Sequence, residues 1–295
     1  MADMQNIQWF PGHMAKTRRK IAENLKLVDA VVEIVDSRVP VSSRNPEIPN
    51  IIKDKPHMIV LNKCDLADSA STLRWCEYYQ KAGIMALVTD SKTGYGIAAF
   101  KQSVKFLLKE KLKRYEEKGM ANKKLRIMVV GIPNVGKSSL INKLCSTSRA
   151  KVEDRPGVTR ANQWYTVDSQ LELLDTPGVL WPKFEDPITG EHLAFCGAVK
   201  DEIMDRELLS MRLAEYLKDN YPKCLTDRFK LTDFPDDAYD LLCAIGRARG
   251  MVVRGGEIDT ERAAVMLLDE FRGGKLGKIT IEQPKEANQN AGLRI

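Results

Sequence analysis

The 295-residue chain reads as an α/β protein, a mostly parallel sheet with helices on both faces, followed by a small all-α domain. Three observations predict this. Short apolar, β-branched runs such as 29–36 (D-A-V-V-E-I-V-D) and 127–130 read as buried strands. The second run passes through a glycine-bounded loop into a stretch where Leu140, Ile141 and Leu144 recur at helical spacing. Beyond the prolines at 182 and 187 the apolar period is helical, as in Leu209, Leu213, Tyr216 and Leu217.

The strand–loop–helix element is the most specific feature. Gly131-Ile132-Pro133-Asn134-Val135-Gly136-Lys137-Ser138 fits G-x-x-x-x-G-K-[ST] at every fixed position. Gly131 and Gly136 let the backbone curl, so that N–H groups from Asn134 through Ser139 face phosphate oxygens at a helix N-terminus. Lys137 is expected to reach the β/γ-phosphates and Ser138 to ligate Mg²⁺. A nucleoside triphosphate is therefore the expected ligand.

The base-reading residues precede this loop. A short apolar strand, 56–61, runs into Asn62-Lys63-Cys64-Asp65. The Asp65 carboxylate can accept from both N1 and N2 donors of guanine, and adenine would leave it desolvated and unpaired. Asn62 supports the loop, and the Lys63 stem can lie along the purine face. A second strand, 84–88, leads into a loop with Ser91 and Lys92 that resembles the one backing guanine in GTPases. After the phosphate loop come Thr159, in the polar stretch 146–162, and Asp175-Thr176-Pro177-Gly178 behind the apolar run 171–174. Thr159 and Asp175 are expected to hold Mg²⁺, and the Gly178 N–H to face the γ-phosphate. The order is base loops, phosphate loop, switches, whereas an ordinary GTPase runs phosphate loop, switches, base loops. The fold expected is thus a circularly permuted P-loop GTPase domain, which is permissible because all five loops lie at the carboxyl ends of strands.

The rest of the chain divides around this domain, expected over 1–180, with a linker at 181–195 and a helical RNA-binding domain at 196–295. Net charge is +6 and the isoelectric point near 8.9, which favours an anionic partner. Six cysteines without a C-x-x-C pair read as free thiols of a reducing compartment, arguing against zinc and disulfides. No run is long enough to span a membrane, and a soluble, cytoplasmic monomer is expected. Residues 5–20 place Trp9, Phe10, a Pro-Gly turn and His13 ahead of Lys16, Arg18, Arg19 and Lys20, either a packed arm or a contact to RNA phosphates. Phe100, Val104, Leu107, Leu108 and Tyr115 mark one helix ending at Gly119, its other face lysine-rich and read as solvated. Arg247, Arg249, Arg254, Arg262, Arg272, Lys275 and Lys278 cluster in the last helices as either a solvated or an RNA-binding face.

The permuted order, Q-W-F-P-G-H-M-A-K, S-S-R-N-P at 42–46, G-I-P-N-V-G-K-S and L-D-T-P-G-V-L-W-P-K-F-E-D closely resemble the ribosome biogenesis GTPase A (YlqF) family over nearly the whole chain. The resemblance implies a GTPase that binds GTP and GDP and helps mature the large ribosomal subunit by binding its rRNA, with slow turnover stimulated by the particle. A permuted GTPase acting on another RNA, and an RNA-binding scaffold with negligible turnover, are the alternatives.

Position 179, where many GTPases carry a water-orienting Gln, holds valine. A catalytic polar group must then come from elsewhere. Asn134 matches the asparagine that helps bind K⁺ in potassium-activated relatives, where the cation offsets transition-state charge. His13, behind its Pro-Gly turn, is the second candidate. With Lys137 and the Gly178 N–H these form the expected catalytic set.

Overall fold

The computed structural model describes residues 19, 21–53, 55–120, 123–146, 163–178, 186–199 and 204–284. The chain forms two compact units, Met1–Phe184 together with Thr280–Ile295, and Glu185–Ile279.

The first unit is built on a six-stranded sheet: β1 (Ala30–Asp36), β2 (His57–Asn62), β3 (Met85–Val88), β4 (Leu125–Val130), β5 (Gln163–Thr166) and β6 (Leu171–Asp175). Their order is β3-β2-β1-β4-β6-β5, parallel throughout except for the antiparallel β5–β6 hairpin. From β1 the chain winds outward through β2 to β3, and from β4 it builds the opposite side. The reversal lies between β1 and β4, and the crevice beyond their carboxyl ends is where such sheets bind ligands.

Successive β1 side chains point to opposite faces, and all seven are buried, so both faces are covered. On one face, α1 (Ile48–Ile52) and the segment carrying Ile21, Leu25 and Val28 pack on Val31, Met128, Val130 and Leu174. Farther along, α2 (Ser69–Lys81) sets Trp75 and Tyr79 on Val35, Ile59 and Leu61. Asp68 starts α2 by accepting from the Ser71 N–H at 2.7 Å. Two further helices, α3 (Ile97–Leu107) and α5 (Lys137–Ser146), contact each other and the sheet, with Phe100, Val104, Leu140 and Leu144 buried.

The lysine-rich helix expected to run unbroken to Gly119 is in fact two. Leu108, with φ −106° and ψ 18°, ends α3 and precedes α4 (Lys109–Glu117). The break keeps Leu108 in the core while α4, K-E-K-L-K-R-Y-E-E, buries no residue.

In the second unit α6 (Pro187–Phe195), α7 (Arg206–Asn220), α8 (Pro222–Phe229), α9 (Ala238–Ala248) and α10 (Thr260–Arg272) pack around Leu213, Leu217, Leu241, Ile245, Leu267 and Phe271. Asp186 caps α6 through the Ile188 N–H at 2.9 Å with Pro187 at the first helical position, so much of the stretch expected as linker is helical. Two cations of the expected RNA-facing cluster are used internally. Arg249 bonds the buried Glu270 at 3.0 Å, beside the Arg228–Glu270 fork, and Arg272 donates to the carbonyls of Phe195 and Ala194 at 3.1 and 2.7 Å. Arg247, Arg254, Arg262, Lys275 and Lys278 remain exposed.

Past Ile279 the chain rejoins the first unit. The Ile281 N–H donates to the Arg38 carbonyl at 2.8 Å, and the Glu282 carboxylate accepts from the N–H groups of Val41 and Ser42. The Trp75 indole N–H donates to the Glu282 carbonyl at 2.9 Å. No helix among the described residues is long and apolar enough to cross a membrane.

Candidate nucleotide site

The sequence-predicted residues among those described gather at the carboxyl ends of β4, β2, β3 and β6, around the end of β1. Gly131 leaves β4 with φ 153° and lies against β1, where a Cβ would come within 2.6 Å of the Ile34 carbonyl oxygen. Asn134 is exposed on the loop with a left-handed φ of 62°, Val135 is buried, and Lys137 opens α5. Ser138 and Ser139 follow in the first turn, half-buried and exposed respectively. This curl aims a run of N–H groups and the positive end of α5 at one point.

Lys137 is buried, and its ammonium donates to the carbonyls of Gly131 and Ile132 at 3.0 and 3.1 Å. Burial pushes its pKa down to about 8, opposed by the carboxylate of Asp175. Asp175 is the last residue of β6, level with Val129 of β4, and is buried. The Thr176 hydroxyl donates to the Val129 carbonyl at 2.8 Å, tying the D-T-P-G turn to the phosphate-loop strand. Gly178 lies against the loop itself, since a Cβ there would stand 3.0 Å from both the Pro133 nitrogen and the Lys137 ammonium.

Asn62 joins the base side to the phosphate side. Its amide donates to the Val135 carbonyl at 2.8 Å, while its oxygen accepts from the Ser91 N–H and hydroxyl at 3.1 and 2.8 Å and from Thr89. Three loops far apart in sequence are thereby pinned by one buried amide. Gly136 has φ 95°, and a Cβ there would overlap Asn62 Nδ2. Gly136→Ala is expected to cost about 1–3 kcal/mol in strain and to loosen both loops. Thermal unfolding and a GTP titration should each register it, with affinity falling at least roughly tenfold.

Lys63 holds a left-handed φ of 59°, and its ammonium pairs with Asp36 at 3.0 Å. Asp36, buried at the end of β1, is also gripped by Arg38 at 2.9 and 2.8 Å. Burial works against its charge, but Arg38 and Lys63 together hold its carboxyl well below the usual range. Asp65 behaves oppositely: burial, and then the neighbouring Asp90, raise its pKa. Lys92 is exposed, its N–H bonded to Asp90 at 2.7 Å. The sequence reading missed Asp36 and Arg38, although an acid ending a buried apolar strand occupies a crevice position. His13, Thr159 and Val179 lie outside the described residues, as do the rest of the N-terminal arm except Arg19 and most of the stretch 146–162.

Mg²⁺ is the ion this fold family implies, and the donors suit it: Ser138 lies in the first turn of α5 and Asp175 ends β6, an oxygen-only pair on two elements that meet.

A family model described as a 50S ribosome-binding GTPase matches residues 126–218. The match begins within β4, and the base-reading loops stand upstream of it, as a permuted order requires. The chain is 48% identical over 280 residues to the ribosome biogenesis GTPase A of Bacillus cereus, covering 95% of each chain. It is 49% identical over 284 residues to that of Priestia megaterium, covering 96% of this chain and 99% of that one. The solved structure of GNP-bound YlqF from T. maritima superposes with a TM-score of 0.64 at 25% identity, covering 92% of this chain and 99% of the other. With the phosphate loop, the guanine-type loop and the D-T-P-G turn in one crevice in permuted order, the chain belongs to the ribosome biogenesis GTPase A (YlqF) family and is a GTPase.

Proposed function

We propose that the chain is a GTP-hydrolysing assembly switch that binds the maturing large ribosomal subunit through its rRNA and promotes a late assembly step in the cytoplasm. One observation carries the switch. Gly178 lies against the phosphate loop, and only the seven residues 179–185 separate it from Asp186, the cap of the first helix of the second unit. An order change set by the γ-phosphate at Gly178 is therefore transmitted through a short tether to the helical unit. The family model's description, a 50S ribosome-binding GTPase, supports the large subunit as partner.

In this reading GTP is held by the N–H groups of residues 134–139, the Lys137 ammonium and the Asp65 carboxylate, with Asn62, Lys63, Ser91 and Lys92 shaping the base pocket. Ser138 and Asp175, with Thr159, would hold Mg²⁺, which when bound neutralises charge on the β- and γ-phosphate oxygens. Gly178 presents its N–H to the γ-phosphate. Val179 has no polar group for water, so stimulation comes from His13 ordered by the particle, or from K⁺ held at Asn134.

The test is steady-state phosphate release from GTP in KCl and in NaCl, with and without purified large subunits. Large subunits should accelerate turnover at least roughly tenfold, and a KCl requirement would assign Asn134 its cation. Unchanged turnover in both salts removes the large subunit as partner. His13→Ala should leave GTP affinity intact while cutting stimulated turnover on the order of a hundredfold. Full stimulation in that variant would make His13 structural.

A further inference from the structure

The chain's positive charge does not reside where the helical unit would need it. Residues 185–279 hold 14 Lys/Arg against 19 Asp/Glu, so of the 46 basic and 40 acidic residues in the chain, 32 and 21 fall in the other unit. Within that unit, residues 101–126 alone contribute ten Lys/Arg against three Asp/Glu. This stretch comprises the end of α3, all of α4 and the start of β4.

The elements carrying this charge form one continuous surface. Lys101 bonds Asp168, and Lys105 bonds Gln170 at 2.9 Å, tying α3 to the β5–β6 turn. Lys124 and Arg126 both pair with Glu172 of β6, at 2.8 and 3.1 Å. Lys111 of α4 pairs with Asp29, which also accepts the Arg126 N–H. Those pairs neutralise part of the charge and lock the frame. Lys113, Arg114 and Lys118 enter no ion pair among the described residues and stand exposed.

Aromatic faces are set among the cations. Lys123 lies 4.7 Å over the ring of Tyr115, and Lys109 lies 5.4 Å over Phe106, which is 64% exposed. Arg126 lies 5.2 Å over Trp164, which is 41% exposed. α4 contributes nothing buried to the core, and of its lysines Lys111 alone is tied to the sheet by an ion pair among the described residues. The surface sits at the amino ends of β4 and β6, roughly 20 Å along β4 from the phosphate loop, so an occupant does not compete with nucleotide.

We propose that this surface, α4 with Lys118, Lys123, Lys124 and Arg126 and the flanking rings of Phe106 and Trp164, is an RNA-binding site on the GTPase unit itself. The unpaired cations follow a phosphodiester backbone, and the exposed rings accept unstacked bases. It rests on the reading of an RNA-containing partner and specifies which face of the GTPase unit meets that RNA.

The experiment uses the full chain with three probes: rRNA extracted from large subunits, a single-stranded homopolymer RNA, and vesicles of phosphatidylcholine with phosphatidylglycerol. The triple variant Lys113→Glu, Lys118→Glu, Lys123→Glu should bind both RNAs about a hundredfold more weakly and lower the salt slope by roughly two to three. GTP affinity and basal hydrolysis should not change. Phe106→Ala should weaken homopolymer binding about tenfold with the salt slope retained. Unchanged RNA affinity and slope in the triple variant overturn the site, as does wild-type binding to the vesicles in preference to RNA. Should RNA binding fall as expected while intact large subunits fail to stimulate hydrolysis, the surface stands and the large-subunit assignment falls.

Discussion

Lys137→Ala should abolish GTP and GDP binding at concentrations where the parent chain saturates. The ammonium is buried, so its charge is not screened by water, and phosphates entering the loop meet it at full effect. Losing the cationic partner of a desolvated anion costs about 4 kcal/mol, roughly a thousandfold in affinity. The same burial makes a second signature. In the free chain Lys137 loses its proton near pH 8, whereas phosphates beside it favour the charged form. Affinity for GTP should therefore decline as pH rises through about 8, with a proton taken up on binding above that point. Calorimetry in buffers of different ionisation enthalpy measures the uptake. Normal affinity in Lys137→Ala, with an unchanged melting temperature, would remove the crevice as the nucleotide site.

Asp65→Asn should lower GTP affinity on the order of a hundredfold to a thousandfold and raise that for xanthosine triphosphate. A carboxylate accepts from two donors on guanine, while an amide turns one acceptor into a donor that suits the xanthine carbonyl. Burial and Asp90 raise the Asp65 carboxyl in the free chain, and guanine requires it ionised. GTP affinity should thus fall as pH drops through that raised carboxyl range and level off above it. The asparagine variant should lack this acid-side slope. Equal discrimination between guanine and xanthine nucleotides in both proteins would sink the base assignment.

Both predictions were largely legible in residues 131–138 and 62–65, because phosphate and base recognition require particular groups at short, local spacings. Motif order likewise revealed the permutation, and short apolar runs located β1, β2, β3, β4 and β6 to within two residues. What escaped was non-local. Lys63 is held by Asp36, which sits at the end of another strand and is itself gripped by Arg38. Asn62 reaches Val135 across 73 positions. The clasp of Glu282 on Val41 and Ser42 spans more than two hundred.

By itself the sequence determined the ligand class, the order of the loops and the location of the strands, since these depend on composition and on periods of a few residues. Tertiary structure alone decided which cations are structural and which are presented. Arg249 and Arg272 look identical in sequence to Arg247 and Arg262, yet the first two are drawn to Glu270 and to the carbonyls at 194 and 195. Lys113 and Lys118 read as an ordinary solvated face until Leu108 turns the chain and leaves α4 outside the core. The physical reason is that a charged side chain's fate depends on the acceptors within reach, and those are supplied by packing between elements distant along the chain.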